Sequence, residues 1–490
     1  MKHIFKTIFA FSLVLLMSCE ESLTDLTLDK DDVIAANDSE VLTSAQGYLA
    51  IIQDVDLNET PSFLWAQYYT WGIGVSIGNN ERYVSEPDDF NGVWRRMYTN
   101  ALADLKYLSN SESAAYRGVS KILMAYGFQA LVDHFGDVPY SQALNGEIAD
   151  GSITNPEFDD AATIYEGLII SLDAALDDFD DAVLIGQDGD IGADDLIFAG
   201  DLGQWRKFAN SLKLRILMRT SEVDPKGTEI VDLIATGTFL EDGDLAELAW
   251  PGITGNENPM YATQMSGVGD FYFPSSATTD VLESMNDPRL ALLYAPATSG
   301  PEIGNIRAIC QGCVDRDVPF TAAASDYSGS SAYANGPAVS TIFMSPWEVW
   351  FLRAEADARY NTADDAATAL ATGIQLNFDA LGAGDATTYI NTEVDYASAA
   401  DLDERLDIIA IQAWISMNGT QEDEGWSVMR RMDRPASRLF TQGIMQTPPL
   451  SVLAAGAHPA AWLYPAEELS FNSSNAPSQR KLTDKLFWDN

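Results

Sequence analysis

Histidine and cysteine are scarce in this 490-residue chain, with three of each. A zinc site would have to combine Cys310 and Cys313 with His134, His458 or carboxylates, and the sequence argues against one. Basic residues are scarce too: 28 Lys and Arg stand against 73 Asp and Glu, a net charge of −45. A field of that sign repels phosphates and anionic membrane surfaces, so nucleic-acid binding is excluded and polyanionic substrates are disfavoured. Such acidity suits a salty medium, where charge is screened within about 10 Å or less. The N-terminal apolar run, Ile8 to Met17, falls short of the roughly 20 residues that cross a bilayer. No H-E-x-x-H string and no phosphate loop occur, and the many carboxylates form no recognisable pair. No cofactor and no catalytic activity are expected; a surface hydrolase is the alternative from another class.

What is present begins with an address. Lys2, His3 and Lys6 precede the apolar run, which ends Leu16-Met17-Ser18-Cys19. A basic start, a short apolar core and a cysteine at the cut describe a lipoprotein leader, 1–18, with Cys19 lipidated as the new N-terminus. Multiple acyl chains hold a protein on a membrane stably. Residues 19–40 are polar and acidic and read as a tether; 41–490 read as one domain.

Apolar residues make up 46% of the chain, which places it among globular proteins. Apolar side chains at spacings of three and four predict helices over Lys121–Phe135, Ala161–Ala182, Trp205–Thr220, Trp347–Tyr360, Ala366–Leu381 and Leu402–Met417. Trp94 and Trp205 are expected in the core on such faces. His134, beside the stop at Gly136, reads as structural. The expected fold is mainly α, a superhelix of tetratricopeptide-like pairs. Two irregular stretches, roughly 240–340 and 383–400, interrupt it, and loops of that length are usually functional.

Aromatic and amide-rich loops supply the candidate binding residues. Sugars present C–H faces that stack on Trp and Tyr, while Asn, Asp and Arg fix their hydroxyls. Three clusters fit: Trp65, Tyr69, Trp71, Asn80, Arg82 and Tyr83; Asp270 with Tyr272; and Tyr327 with Tyr333. Gly72, Gly74 and Gly78 mark the first as a loop. Trp71 and Tyr272 are the leading pair. The spacing C-Q-G-C at Cys310 and Cys313 is read as a small disulfide, since the compartment is oxidising. Asp188, Asp190 and Asp194 are closely spaced oxygen donors and a weak calcium candidate; a solvated acidic turn is the plainer reading.

Several strings, in order, resemble the SusD/RagB family of outer-membrane nutrient-binding lipoproteins. They are Asp133 to Tyr140 (D-H-F-G-D-V-P-Y), Gly200 to Arg215 (G-D-L-G-Q-W-R-K-F-A-N-S-L-K-L-R), Asn286 to Leu290 (N-D-P-R-L), Glu348 to Ala356 ending A-E-A, Trp426 to Arg431 (W-S-V-M-R-R), and Tyr464 to Glu468 (Y-P-A-E-E). One departure is Met432-Asp433-Arg434-Pro435, where the family often carries T-G-x-P. The resemblance implies a helical scaffold with an irregular ligand lobe. It further implies an oligosaccharide ligand and a SusC-like TonB-dependent transporter barrel that the lipoprotein covers as a lid at the cell surface. The acidic residues after Cys19 resemble the surface-export signal of such lipoproteins. Peptide capture is the alternative within the same fold.

Overall fold

Several helices in this chain begin at a short polar side chain that caps them. The computed structural model describes residues 36–71, 79–146, 152–263, 272–313, 328–330, 336–432 and 444–489. The scaffold helices are α1 (Asp38–Ile51), α2 (Leu102–Leu108), α3 (Ala114–Phe135), α4 (Ala161–Ile185), α5 (Leu202–Arg219), α6 (Gly227–Thr236), α7 (Pro346–Tyr360), α8 (Ala366–Leu381), α9 (Leu402–Met417) and α10 (Glu422–Arg431). The side chains of Asp160, Asp201, Ser345, Asp365 and Asp401 accept backbone N–H groups at the starts of α4, α5, α7, α8 and α9. Each satisfies donors that the first turn leaves orphaned. Gly136 ends α3 at φ 77°, a conformation that a side chain would strain.

Successive helices pack as pairs: α3 on α4, α4 on α5, and α7 on both α8 and α9. The expected mainly helical fold is what forms, and the six predicted helices all appear. Gly118 lets Phe179 of α4 close against α3; a Cβ there would also stand 3.1 Å from the Ala175 carbonyl. Trp94 and Trp205 are buried, as their helical faces predict.

The tether read as 19–40 differs at its far end, because α1 already begins at Asp38. Cys19 and the leader lie outside the described residues. The stretch 383–400 is less irregular than its composition suggests: Thr387–Tyr389, Ile390–Val394 and Tyr396–Ser398 are helical turns. Among the described residues, six short strands lie outside the helical array: β1 (Tyr69–Trp71), β2 (Ala246–Leu248), β3 (Tyr272–Pro274), β4 (Tyr294–Ala295), β5 (Gly329–Ser330) and β6 (Thr341–Met344). They form antiparallel pairs β1–β3, β2–β6 and β4–β5.

Charged residues of the family-like strings meet inside the scaffold. Arg215 on α5 holds Glu348 on α7 at 2.5 and 2.7 Å. Arg219 reaches Glu424 on α10 at 2.6 Å, and Arg431 reaches Glu355 on α7 at 2.5 Å. Burial pushes the Glu355 carboxyl up, but the Arg431 and Arg359 guanidiniums outweigh it and hold it at about 2. Nearby carboxyls have no such escort. Burial drives Asp54 to about 7 despite hydrogen bonds from Thr341 and Asn258. Burial, reinforced by the Asp423 charge, drives Glu422 to about 8.

Candidate functional site

Segments far apart in sequence converge around β1. β1 pairs with β3 in the register Tyr69↔Pro274, Thr70↔Phe273 and Trp71↔Tyr272. The strand line continues past Pro274, because Ile309 N–H donates to the Pro274 carbonyl and Ser276 N–H donates to the Ile309 carbonyl, both at 2.9 Å. This brings in the loop in which Cys310 and Cys313 are joined by a disulfide. Gly312 of that loop leaves no room for a side chain: a Cβ would lie 3.0 Å from the Glu81 carbonyl and from Pro448. The segment after residue 444 closes the ring, with Val452 N–H donating to the Arg82 carbonyl at 3.0 Å.

Two strained residues bracket β1. Gln67 sits at φ 61° and Tyr83 at φ 59°, in the left-handed region that a side chain disfavours. Gln67 is held there by Gln446, whose N–H donates to Gln67 Oε1 at 2.9 Å while its carbonyl accepts from Gln67 Nε2 at 2.5 Å. The Tyr83 hydroxyl lies 3.2 Å from Nδ1 of His458, a histidine kept neutral because burial lowers its pKa to about 4. Strain of this kind persists only where the surroundings over-determine it, and it clusters at binding sites.

Glu81 is the brace. Its buried carboxylate accepts from the Thr70 hydroxyl at 2.5 Å and from Trp71 N–H at 3.1 Å, tying the end of β1 to the turn Asn80–Arg82. Trp71 is therefore fixed in place while half-buried. Its ring meets Tyr272 edge-on, with centroids 6.1 Å apart. Beside it, Arg82 Nη2 donates to Asn79 Oδ1 at 2.9 Å on an exposed rim. Asn80 is half-buried and gives its carbonyl to the Trp65 indole N–H at 3.2 Å.

The predicted aromatics divide. Trp65, Tyr69, Tyr83 and Tyr272 are buried and pack into the core, which corrects their reading as ligand contacts. Tyr69 stacks on Phe63 at 4.1 Å, Tyr272 sits edge-on to the same Phe63 at 5.1 Å, and Trp65 lies against Trp426. Four large rings from three chain segments fill one another's gaps, so they form the wall behind the platform. Trp71 and Tyr272, expected on separate loops, are cross-strand neighbours. Asp270, Tyr327 and Tyr333 lie outside the described residues. Glu81, Gln67 and Gln446 were missed; a lone acid between Asn79, Asn80 and Arg82 was the available signal for the first.

An open pocket of about 470 Å³ lies on the other side of the helix Ser276–Ser284 that follows β3. Asp280, Glu393, Gln412 and Gln446 give it polar groups; Val281, Ile408 and Ile444 give it apolar ones. Burial raises the Asp280 carboxyl, and a hydrogen bond with Gln446 partly offsets this.

The calcium candidate needs adjustment. The carboxylate of Asp194 accepts from the Tyr116 hydroxyl at 2.7 Å and from Gly192 N–H at 2.9 Å, so it braces a turn. No cluster of three metal-binding side chains occurs among the described residues, and Asp188, Asp190 and Asp194 do not form a calcium site there. Gly74-Val75-Ser76-Ile77-Gly78 spells G-x-S-x-G but lies outside the described residues. That string marks a nucleophile only at a strand-to-helix elbow of a hydrolase sheet, and β1 before it belongs to a two-stranded pair.

Comparison with known proteins adds a family. A SusD-like family model, described as starch-binding and associating with the outer membrane, matches residues 30–447. A SusD homologue from Bacteroides vulgatus superposes with a TM-score of 0.76 at 20% identity, covering 92% of this chain and 97% of its own. A chitin-binding SusD homologue from Flavobacterium johnsoniae gives 0.75 at 21%, over 92% and 98% of the two chains. A SusD-like protein from Bacteroides thetaiotaomicron gives 0.76 at 20%, over 92% and 99%. At these identities the likeness establishes the fold. No curated protein matches the sequence.

Proposed function

We propose that this chain, which belongs to the SusD-like family of starch-binding proteins associated with the outer membrane, captures a neutral oligosaccharide at the Trp71 platform. The family match carries the ligand class. The Trp71 platform is favoured as the place by its half-exposed indole, near the exposed Asn79 and the half-buried Arg82. An indole face accepts the C–H face of a pyranose, and a braced side chain loses little entropy on contact. The charge of −45 supports a neutral ligand over an anionic one. Lipid on Cys19 would hold the protein at the cell surface, and a SusC-like TonB-dependent transporter would receive the cargo. The protein binds and does not hydrolyse.

Calorimetry of the mature chain against starch- and chitin-derived oligosaccharides, run beside a peptide panel, tests the reading. Saturable binding to an oligosaccharide, with the sugar recovered intact, is the expected result. Binding confined to peptides, or turnover of the bound sugar, would overturn it.

A further inference from the structure

A second cleft lies away from the platform, about 270 Å³ in volume. Trp94, Tyr98, Leu144 and Phe471 form its apolar lining, with Glu467, Glu468 and the exposed Arg95 as its charged groups. Phe471 is 78% exposed, and among the described residues Tyr107 is the only other Phe, Trp or Tyr that is exposed rather than buried or half-buried. The cleft is also preformed. Asn155 Nδ2 donates to the Phe471 carbonyl at 2.9 Å, and Asn472 Nδ2 donates to the Pro156 carbonyl at 2.8 Å. Glu467 N–H donates to Asn91 Oδ1 at 3.1 Å, and the Tyr98 hydroxyl donates to the Pro139 carbonyl at 2.7 Å. Both walls are thus locked to each other by side chain-to-backbone bonds.

We infer that this cleft is a second saccharide subsite, taking one pyranose unit of a neutral glycan; the ligand class, though not the location, rests on the function proposed above. An apolar pocket with a few convergent polar groups is the usual form of a small-ligand site. Aromatic rings offer a face to C–H groups, while two carboxylates accept hydroxyl protons, and a polyhydroxylated ring satisfies both at once. An apolar side chain of a protein partner would cover the carboxylates without giving them donors, which costs desolvation. The two carboxylates outnumber the Arg95 guanidinium, so the cleft keeps a net negative charge that disfavours an anionic ligand. A glycan long enough to touch both sites would gain affinity from their linkage alone.

The test uses the mature chain carrying Cys19→Ala, with methyl labels on Ala143 and Leu144 in the cleft wall. Starch- and chitin-derived oligosaccharides are titrated while calorimetry follows total binding. The Leu144 methyl signal should shift saturably, should still do so in Trp71→Ala, and should need about tenfold more ligand in Phe471→Ala, the loss expected for one aromatic anchor. The melting temperature of Phe471→Ala should match the parent, since the ring packs on little. Binding lost in Trp71→Ala while Leu144 never moves would overturn the subsite and leave the platform standing. A Leu144 shift that vanishes in Trp71→Ala would also overturn it, as a signal transmitted from the platform. Silence at both sites with every saccharide would overturn the two readings together.

Discussion

Trp71 and Tyr272 face each other across one register position, yet truncating them should have opposite consequences. Trp71→Ala removes a half-exposed ring from the platform. Its oligosaccharide affinity should fall by about 1–3 kcal/mol, roughly fivefold to 150-fold, with a small change in melting temperature. Tyr272 is only 5% exposed and wedged against Phe63, so Tyr272→Ala should cost about 3–5 kcal/mol of stability through the cavity it leaves. Calorimetry and a melting curve on each variant separate the two. Buried carboxyls set a second expectation at this scale. The folded pKa values of Asp54 and Glu422, about 7 and 8, exceed their ordinary 3.8 and 4.5. The native state therefore binds these protons more tightly than the unfolded chain. Their contribution is complete below about pH 4 and is lost as pH rises through 7 to 8. Glu355, held at about 2, acts oppositely: its contribution is present above 4.5 and lost as pH falls towards 2. Thermal stability should decline from pH 5 to pH 8, and Glu422→Gln should flatten that decline. A curve of unchanged slope in the variant would remove Glu422 from the account.

The helix pairs depend on close approach as much as on apolar faces. Gly118→Ala should push Phe179 out of its seat between α3 and α4 and cost about 1–3 kcal/mol, read as a lower denaturant midpoint. Most of this level was legible in the sequence. Ala366–Leu381 and Leu402–Met417 were bounded to the residue, because an Asp cap precedes each and Gly382 or Asn418 follows. The helical pattern survives burial because it is local. The platform was less legible because it is not. Tyr69, Trp71 and Tyr83 have the same aromatic chemistry in sequence. Tyr69 and Trp71 share one face of β1, and depth separates them: Phe63 and, from far along the chain, Tyr294 cover Tyr69, while Trp71 stands at the strand's end opposite Tyr272. Glu81 was equally hidden: a surface-type residue whose burial follows from the Thr70 hydroxyl and Trp71 amide it satisfies.

At the scale of the whole molecule, the proposed lipid anchor has its own test. Cys19→Ala should release the protein from membranes to the soluble fraction, followed by fractionation and immunoblot. Retention on the membrane would refute the anchor. The same scale links the site to the order in which the chain becomes native. Gln67 grips Gln446 across 379 positions, and β1 finds β3 only after the intervening helices have been made. Contacts between such distant residues carry a large loop-closure cost and tend to form late. The platform is therefore among the last places to take shape. A chain interrupted before residue 446 could build α3, α4 and α5 in full and still lack the grip that holds Gln67 at the entrance to β1. On the function proposed above, ligand binding would then act as a certificate of completion, because the platform forms only in the fully folded molecule.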